Sequence, residues 1–215
     1  MQIELKQLII PPGNVLQLKD ISWQMFEQIL DELGESRATR ISYSKGFLEI
    51  MAPLLEHEFD KGFIGDFVKI LLEQLDIDFI DSGSTTFKKE NMAQGVEPDA
   101  SFYIQNEAAI RGKKKIDLTI DPPPDLAIEI DITSRTAFTN YEALGVTELW
   151  RYNGQRLQIN VLQDNKYIES ENSRIFSRFP QLREVIHQYV EESKVVGRNA
   201  TMKAFRNWVR ERLYS

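Results

Sequence analysis

The chain of 215 residues contains no cysteine and only two histidines. The lack of cysteine excludes disulfides, thiolate nucleophiles and cysteine-ligated zinc sites. No stretch approaches the roughly 18 consecutive apolar residues that a membrane-spanning helix needs, and the N-terminus lacks the layout of a signal peptide. We therefore expect a cytoplasmic protein that does not enter a membrane.

Positive charge is also in deficit, since 26 lysines and arginines face 33 aspartates and glutamates, for a net charge of −7. This balance opposes indiscriminate coating of nucleic acids, because phosphates are repelled at long range. It still permits a local basic surface, or a carboxylate site that recruits a metal ion. The hydrophobic fraction of 42% is sufficient for a sizeable core, and the length favours a single domain over residues 1–215.

Helical and extended patterns are mixed along the chain, with at least two hairpins, so the sheet cannot be wholly parallel. We predict an α/β (α+β) fold with a central mixed β-sheet flanked by helices. Its parts are an N-terminal arm and helix (1–37), a core (38–162) and a C-terminal helical extension (163–215). The predicted helices are 22–34, 56–75, 136–144, 180–193 and 200–213, and the predicted strands are 39–51 as a hairpin, 77–81, 84–89, 99–104, 125–132 and a hairpin turning at Asn153-Gly154.

The run DLAIEID at 125–131 carries the strongest chemical signal. Alternation in a strand places Asp125, Glu129 and Asp131 on one face and three apolar side chains on the other. Carboxylates this close repel one another unless a cation neutralises them. The segment is therefore either one wall of a metal site or an edge strand whose acids are solvated.

Asp99 begins a second strand, directly after Glu97-Pro98. Asp at this position is often a simple turn residue, but a sheet could bring Asp99 beside Glu129. Paired carboxylates without a supporting cysteine or histidine suit Mg²⁺ or Mn²⁺. Mutual repulsion should raise the pKa of at least one member of such a pair.

The segment around Glu56 opens the long second helix. Glu56 either reaches the acidic site as an outer ligand or favours the helix N-terminus through the dipole. His57 is expected to be a surface residue in the second case, and His187 is interpreted as structural.

Several segments together resemble the Uma-type restriction endonuclease family of the PD-(D/E)XK nuclease superfamily. They are the Pro98-Asp99 step, the run PDLAIEI at 124–130, and Tyr141-x-x-x-Gly145-Val146-x-Glu148-x-Trp150. The resemblance spans about residues 38–162. It implies a restriction-endonuclease-like core, Mg²⁺ dependence and phosphodiester hydrolysis, with Asp99 and Glu129 as metal ligands and Glu56 as the early helical acid.

The sequence departs from this family at the lysine that orients the attacking water. Asp131 stands where the superfamily pattern has lysine, and Ala137 stands at the alternative position in the next helix. Lys88 and Lys89 precede the Asp99 strand, and alternation favours Lys88 as the one that faces the site. The alternative is that both lysines are solvated and protect an exposed strand edge.

These observations favour a Mg²⁺-dependent nuclease that acts on DNA, with Asp99, Glu129, Lys88 and Glu56 as its catalytic residues. A homodimer is expected, since cutting both strands of a duplex usually needs two sites. The alternative is a nuclease scaffold that lost its lysine and only binds metal or nucleic acid. Lys203, Arg206 and Arg210 form a strip on helix 200–213 that either contacts phosphates or is merely solvated.

Overall fold

The structure, a computed structural model, describes residues 7–34, 37–132 and 137–214. Within these ranges the helices are α1 (Trp23–Leu33), α2 (Leu55–Gln74), α3 (Glu107–Ile110), α4 (Phe138–Leu144), α5 (Leu182–Val196) and α6 (Arg198–Leu213). The strands are β1 (Val15–Leu18), β2 (Arg40–Ser44), β3 (Phe47–Met51), β4 (Ile80–Asp81), β5 (Phe87–Lys89), β6 (Gln94–Val96), β7 (Ala100–Tyr103), β8 (Leu126–Ile130), β9 (Glu148–Tyr152), β10 (Leu157–Gln163) and β11 (Lys166–Ser170).

The strands form two sheets. The first is antiparallel, with the order β1-β3-β2-β6-β5, and the second has the order β11-β10-β9-β8-β7-β4. In the second sheet β8 and β9 pair in parallel while the other neighbours are antiparallel, so the sheet is mixed. The predicted mixed α/β fold with flanking helices is confirmed, although the sequence does not predict that the strands divide between two sheets.

The helix boundaries follow from local chemistry. The Ser22 side chain accepts a hydrogen bond from the Met25 N–H (3.2 Å), and Gly34 ends α1 with a φ of 69°. Ser is a favoured N-cap because its oxygen satisfies an otherwise unpaired N–H of the first turn, and glycine adopts positive φ without a Cβ clash. The predicted helix 22–34 is therefore confirmed.

The second sheet is covered on both faces. On one face, Leu126, Ile128 and Ile130 of β8 pack in a core with apolar residues of α2, α5 and α6. On the other face, Ala127 contributes to a second core that contains residues of α4 and of the first sheet, Tyr141 and Val96 among them. The odd-numbered side chains of β8, including Glu129, therefore face α4 and the first sheet.

One short segment connects the two sheets. β6 belongs to the first sheet and β7 to the second, and only residues 97–99 separate them. The Glu97 N–H donates to the Ile41 carbonyl (3.1 Å), and the Asp99 N–H donates to the Ile128 carbonyl (3.0 Å). The crossover is thus hydrogen-bonded to both sheets within three residues.

Two predicted details are wrong. Residues 1–20 are predicted as irregular, but β1 lies within them. The turn at Asn153-Gly154 is not a two-residue turn, because four residues join β9 to β10 and the Asn153 side chain accepts hydrogen bonds from the N–H groups of Gln155 (3.0 Å) and Arg156 (2.9 Å). The two-residue turn with positive φ at both positions lies one hairpin later, at Asp164-Asn165 before β11.

Among the described helices, none combines the length and the apolar character that crossing a membrane requires. The same holds for α2, which is 20 residues long, because charged residues interrupt its apolar positions.

Candidate functional site

Asp99 and Glu129 lie side by side. Ala100 pairs with Ile128 and Ser101 with Ala127 in the antiparallel ladder of β7 and β8, so Asp99 falls opposite Glu129 one position further along. Both residues are buried, with exposed fractions of 1% and 6%. They line a small pocket of about 20 Å³ together with Arg40, Ser42, Glu49, Glu97 and other residues.

The Asp99 carboxylate contacts three nitrogen groups. Its Oδ2 accepts a hydrogen bond from the Ile130 N–H (2.7 Å) and lies 3.1 Å from His57 Nε2. Its Oδ1 lies 3.7 Å from Arg40 Nε. Two cationic side chains from different elements, α2 and β2, therefore approach this buried acid.

Glu129 is also almost completely removed from solvent. Burial raises the pKa of Glu129 well above its ordinary value, and the neighbouring charge of Asp99 raises it further. The Tyr141 hydroxyl donates a hydrogen bond to Glu129 Oε1, which lowers the pKa but does not offset the other two effects. This is the direction that mutual repulsion between paired acids produces, and a cation between them would reverse it.

His57 is not the surface residue that the sequence interpretation favours. It is fully buried and faces Asp99. Burial lowers the pKa of the imidazole, but the Asp99 and Glu58 carboxylates outweigh burial and raise it to about 9. A signal was present in the sequence, since His57 lies seven residues before the buried Ile64 and therefore on the same helix face.

Glu56 points away from the acid pair. Its side chain is exposed, and its Oε1 lies 3.9 Å from Lys194 Nζ. The helical acid beside the site is Glu58, whose Oε1 lies 3.5 Å from His57 Nδ1 and 3.6 Å from Arg40 NH2. The His57 ring lowers the pKa of Glu58 to about 2.

Lys88 also lies outside the pocket of Asp99 and Glu129. It forms an ion pair with Glu27 of α1. The reason is topological, because β5 is the edge strand of the first sheet, whereas Asp99 and Glu129 flank the second. Lys88 instead lines a larger cleft next to the pocket.

The position of the missing lysine is occupied by an ion pair. Arg151 donates to both oxygens of Asp131, with Nε–Oδ2 at 2.6 Å and NH2–Oδ1 at 2.9 Å. Arg151 lies beside Glu129 in the parallel ladder of β8 and β9, and it is 2% exposed. The alternative position, Ala137, is exposed at the N-terminus of α4.

The remaining acid of the strand has a structural role. Asp125 accepts hydrogen bonds from the Ile104 N–H (2.7 Å) and from the backbone and side chain of Asn106. The interpretation of residues 125–132 as a solvated edge strand is wrong, because β8 lies between β7 and β9 and is buried along its length.

The family is decided by a comparison with known protein families. A family model described as "Uma2: Putative restriction endonuclease" matches residues 23–190. The chain belongs to the Uma2 family. This confirms the resemblance seen in the motifs.

A solved structure has a similar fold. A protein from Anabaena variabilis described as a "putative nuclease belonging to DUF820" superimposes with a TM-score of 0.54 and 13% sequence identity, covering 79% of this Uma2 chain and 99% of that one. No curated protein matches the sequence.

The Uma2 family implies a divalent metal ion at this site. In the described ranges, no three histidine, aspartate or glutamate side chains are grouped as a metal cluster. Mg²⁺, however, is commonly held by only one or two carboxylates, with water and substrate phosphates completing its shell. The pair Asp99 and Glu129 has this donor set, and a cavity of about 20 Å³ admits one ion or water molecule. The donor atoms of this carboxylate pair therefore fit Mg²⁺ or Mn²⁺, with room for a single ion.

The basic strip of this Uma2 chain lies on a different side. Lys203 and Arg210 of α6 are exposed and Arg206 is half-buried. Arg210 Nε donates to Gln74 Oε1 (2.7 Å). Gln74 lies 17 residues beyond His57 on α2, about 25 Å along the helix axis. The strip therefore does not converge on the acid pair.

Proposed function

We propose that this Uma2-family protein is a metal-dependent nuclease that hydrolyses phosphodiester bonds in DNA. The proposal depends on one observation, the cross-strand pair of Asp99 and Glu129 in a small pocket. These two carboxylates would hold Mg²⁺ or Mn²⁺. The bound ion would supply a Lewis acid that polarises the scissile phosphate and lowers the pKa of its water.

Arg40 supports the proposal because it provides a cation beside Asp99 in a site that lacks the family lysine. Its guanidinium lies beside Asp99, 3.7 Å from Oδ1, and lines both the small pocket and the open cleft next to it. Guanidinium groups bind phosphate oxygens through two parallel hydrogen bonds. Arg40 would therefore offset the negative charge that develops on the phosphate during hydrolysis.

His57 would act by holding Asp99. Its ring lies 3.1 Å from Asp99 Oδ2, while the Ile130 N–H binds the same oxygen. These contacts fix the carboxylate so that Oδ1 points to the side of Arg40. His57 is accordingly a positioning residue in this proposal.

The catalytic roles of Lys88 and Glu56 stay predictions. Each would have to leave a present partner, Glu27 and Lys194 respectively. A comparison of Lys88→Ala with Lys89→Ala tests the first role, since only Lys88 lines the neighbouring cleft. Equal cleavage by both variants would remove Lys88 from the mechanism.

A second candidate function is a binding module without catalysis. The observation that favours it is the ion pair of Asp131 with Arg151 at the position of the family lysine. An ammonium at that position helps to activate the attacking water. Here the ammonium is replaced by the Asp131 carboxylate, which already pairs with Arg151. A scaffold that does not hydrolyse its ligand would tolerate this replacement.

Cleavage assays separate the two candidates. Plasmid and single-stranded DNA are incubated with Mg²⁺ or Mn²⁺, and the wild type is compared with Asp99→Asn and Glu129→Gln, which keep the side-chain shape. The exposed Glu184 supplies the control Glu184→Gln. We expect at least a hundredfold loss in the two site variants and none in the control. Cleavage that survives both site variants would identify a contaminant, and a complete lack of wild-type cleavage would favour the binding module.

We also propose a homodimer, since two sites are needed to cut both strands of a duplex. Sedimentation equilibrium of the wild type tests this, and a monomer at the concentration used in the cleavage assay would contradict it.

A further inference from the structure

A cleft of about 550 Å³ adjoins the acid pocket. Arg40 and Glu97 line both cavities, so the cleft opens next to Asp99 and Glu129. One wall is formed by Ser82 and residues 84–86, a second by the end of α1, and a third by residues 114–116. The cleft therefore opens beside the acid pair.

The lining is basic although the protein as a whole carries a charge of −7. Lys88, Lys114 and Lys115 line it together with Arg40. Lys114 and Lys115 are exposed, and within the described ranges neither of them forms an ion pair. Long-range repulsion by the rest of the protein is opposed here, where an anion would find two lysines available.

The acids in the cleft do not cancel this charge. Glu97 accepts hydrogen bonds from Arg37, Thr86 and the Ile41 N–H. Its charge is therefore already balanced by partners within the protein. Asp31 is the other acidic residue of the lining, so the lysines outnumber the acids that remain.

The uncharged part of the lining indicates which part of a nucleic acid would be contacted. Ser82, Ser84, Thr85 and Thr86 line the wall, and the described lining contains no aromatic side chain. The hydroxyls of Ser82, Thr85 and Thr86 already donate to oxygens within the protein, so the lysines are the main donors to a ligand. Lysine and hydroxyl groups contact phosphate and sugar, whereas aromatic rings provide the platforms on which bases stack. The cleft is thus suited to a backbone and not to bases.

We infer that this cleft binds the phosphodiester backbone of a single nucleic-acid strand and leads it to the acid pair. The choice of a polyanion rests on the proposed nuclease function. A volume of about 550 Å³ is that of a small-ligand pocket and does not enclose a duplex. Lys114 and Lys115 hold the backbone, and Arg40 contacts the phosphate nearest Asp99. Because bases are not read, binding depends little on sequence.

The test measures binding without metal, so that cleavage does not interfere. A labelled 20-nucleotide strand is titrated in EDTA at several salt concentrations, with the wild type, with Lys114→Gln/Lys115→Gln and with the charge-matched control Lys19→Gln/Lys166→Gln. The control lysines line neither cavity. Each phosphate contact on a single strand contributes roughly 0.7 to the slope of log affinity against log salt. We expect the cleft variant to lose about 1.4 units of slope and the control to keep the wild-type slope.

Three results would overturn the inference: an unchanged slope in the cleft variant, an equal loss in the control, or an equal loss on a rigid duplex of the same sequence. Cleavage in Mn²⁺ is measured separately. A wild type that binds through Lys114 and Lys115 but does not cut refutes the nuclease and supports the cleft. A wild type that cuts while the cleft variant binds and cuts normally refutes the cleft and leaves the nuclease standing.

Discussion

His57 Nε2 lies 3.1 Å from Asp99 Oδ2, and both side chains are almost completely removed from solvent. Neither ring nitrogen has a well-aligned hydrogen-bond partner among the described residues, so charge attraction dominates the contact. The imidazolium and the carboxylate each compensate for the burial of the other. Loss of one partner leaves the other less compensated in a low-dielectric environment, since Asp99 would keep only the Arg40 cation at 3.7 Å and His57 only the Glu58 carboxylate at 3.5 Å.

Replacement of His57 by glutamine should destabilise the fold. Breaking a buried ion pair by removing one partner costs about 3–5 kcal/mol. Urea denaturation at pH 7 measures this, with His187→Gln as the matched control, because His187 makes one hydrogen-bond contact with the Tyr152 hydroxyl (3.0 Å). A loss in His57→Gln no larger than in His187→Gln would contradict the ion pair.

Divalent metal should stabilise the wild type through Glu129. An ion that binds only the native state raises the melting temperature, and a tenfold excess over the dissociation constant contributes about 1.4 kcal/mol. We expect an upward shift with millimolar Mn²⁺ in the wild type and none in Glu129→Gln. An equal shift in both proteins would place the metal elsewhere.

Restoration of the family lysine at position 131 should not restore a standard site. The new ammonium of Asp131→Lys would meet Arg151, which now pairs with Asp131 at 2.6 Å. We expect a loss of about 3–5 kcal/mol in stability, since two buried cations would face each other. The double variant Asp131→Lys/Arg151→Met removes the repulsion and should recover most of the loss. A stable single variant with raised cleavage would contradict this interpretation.

Asp60 should make stability fall as the pH rises. Burial raises the pKa of Asp60 to about 6, and Oδ2 has no hydrogen-bond partner in the described structure. The folded state therefore keeps a proton that the unfolded chain loses near pH 4, and stability declines between those two pH values. At pH 8, Asp60→Asn should be more stable than the wild type by about 2–3 kcal/mol, with little difference at pH 4. Denaturation across this range would refute the assignment if the two curves stayed parallel.

The strip on α6 should affect duplex binding. Each phosphate neutralised on a duplex contributes roughly 0.9 to the slope of log affinity against log salt. If Lys203, Arg206 and Arg210 contact DNA flanking the site, their replacement by glutamine should flatten the slope by about two to three units. Stabilisation by Mn²⁺ should be unaffected, because the acid pair is untouched. An unchanged slope would indicate that α6 does not contact DNA and only packs against the core.

The pairing of Asp99 with Glu129 is the part of the site that the sequence predicts, because it follows from the alternation of side chains along two strands. Asp99 and Glu129 lie at the ends of well-patterned strands, so their meeting requires only that β7 and β8 pair. His57 and Arg40 could not be found in this way, because they come from α2 and β2 and reach Asp99 only through tertiary packing. The family resemblance points to Glu56, whereas the helix phase directs its neighbour His57 inward.

In the fold as well, elements with a clear local pattern are predicted and the others are not. Helix α1 is predicted from its Ser22 and Gly34 caps and its apolar spacing, and α2 is predicted from apolar spacing alone. The strands β1 and β6 escape prediction because VLQL and QGV are too short for a period to be visible. The sequence does not place Lys88 relative to the acid pair for a related reason, since alternation along a strand does not indicate which sheet that strand joins.

The crossover at 97–99 has a mechanical consequence. It is tied to Ile41 in one sheet and to Ile128 in the other, and three residues leave almost no slack between the two anchors. A small rotation of one sheet against the other would move Arg40 relative to Asp99, since Arg40 belongs to β2 of the first sheet and Asp99 is hydrogen-bonded to β8 of the second. The relative orientation of the two sheets therefore sets the distance between Arg40 and Asp99. A substitution that repacks Val96 or Tyr141 in the core between the sheets would change the geometry of the pocket, although neither residue lines it.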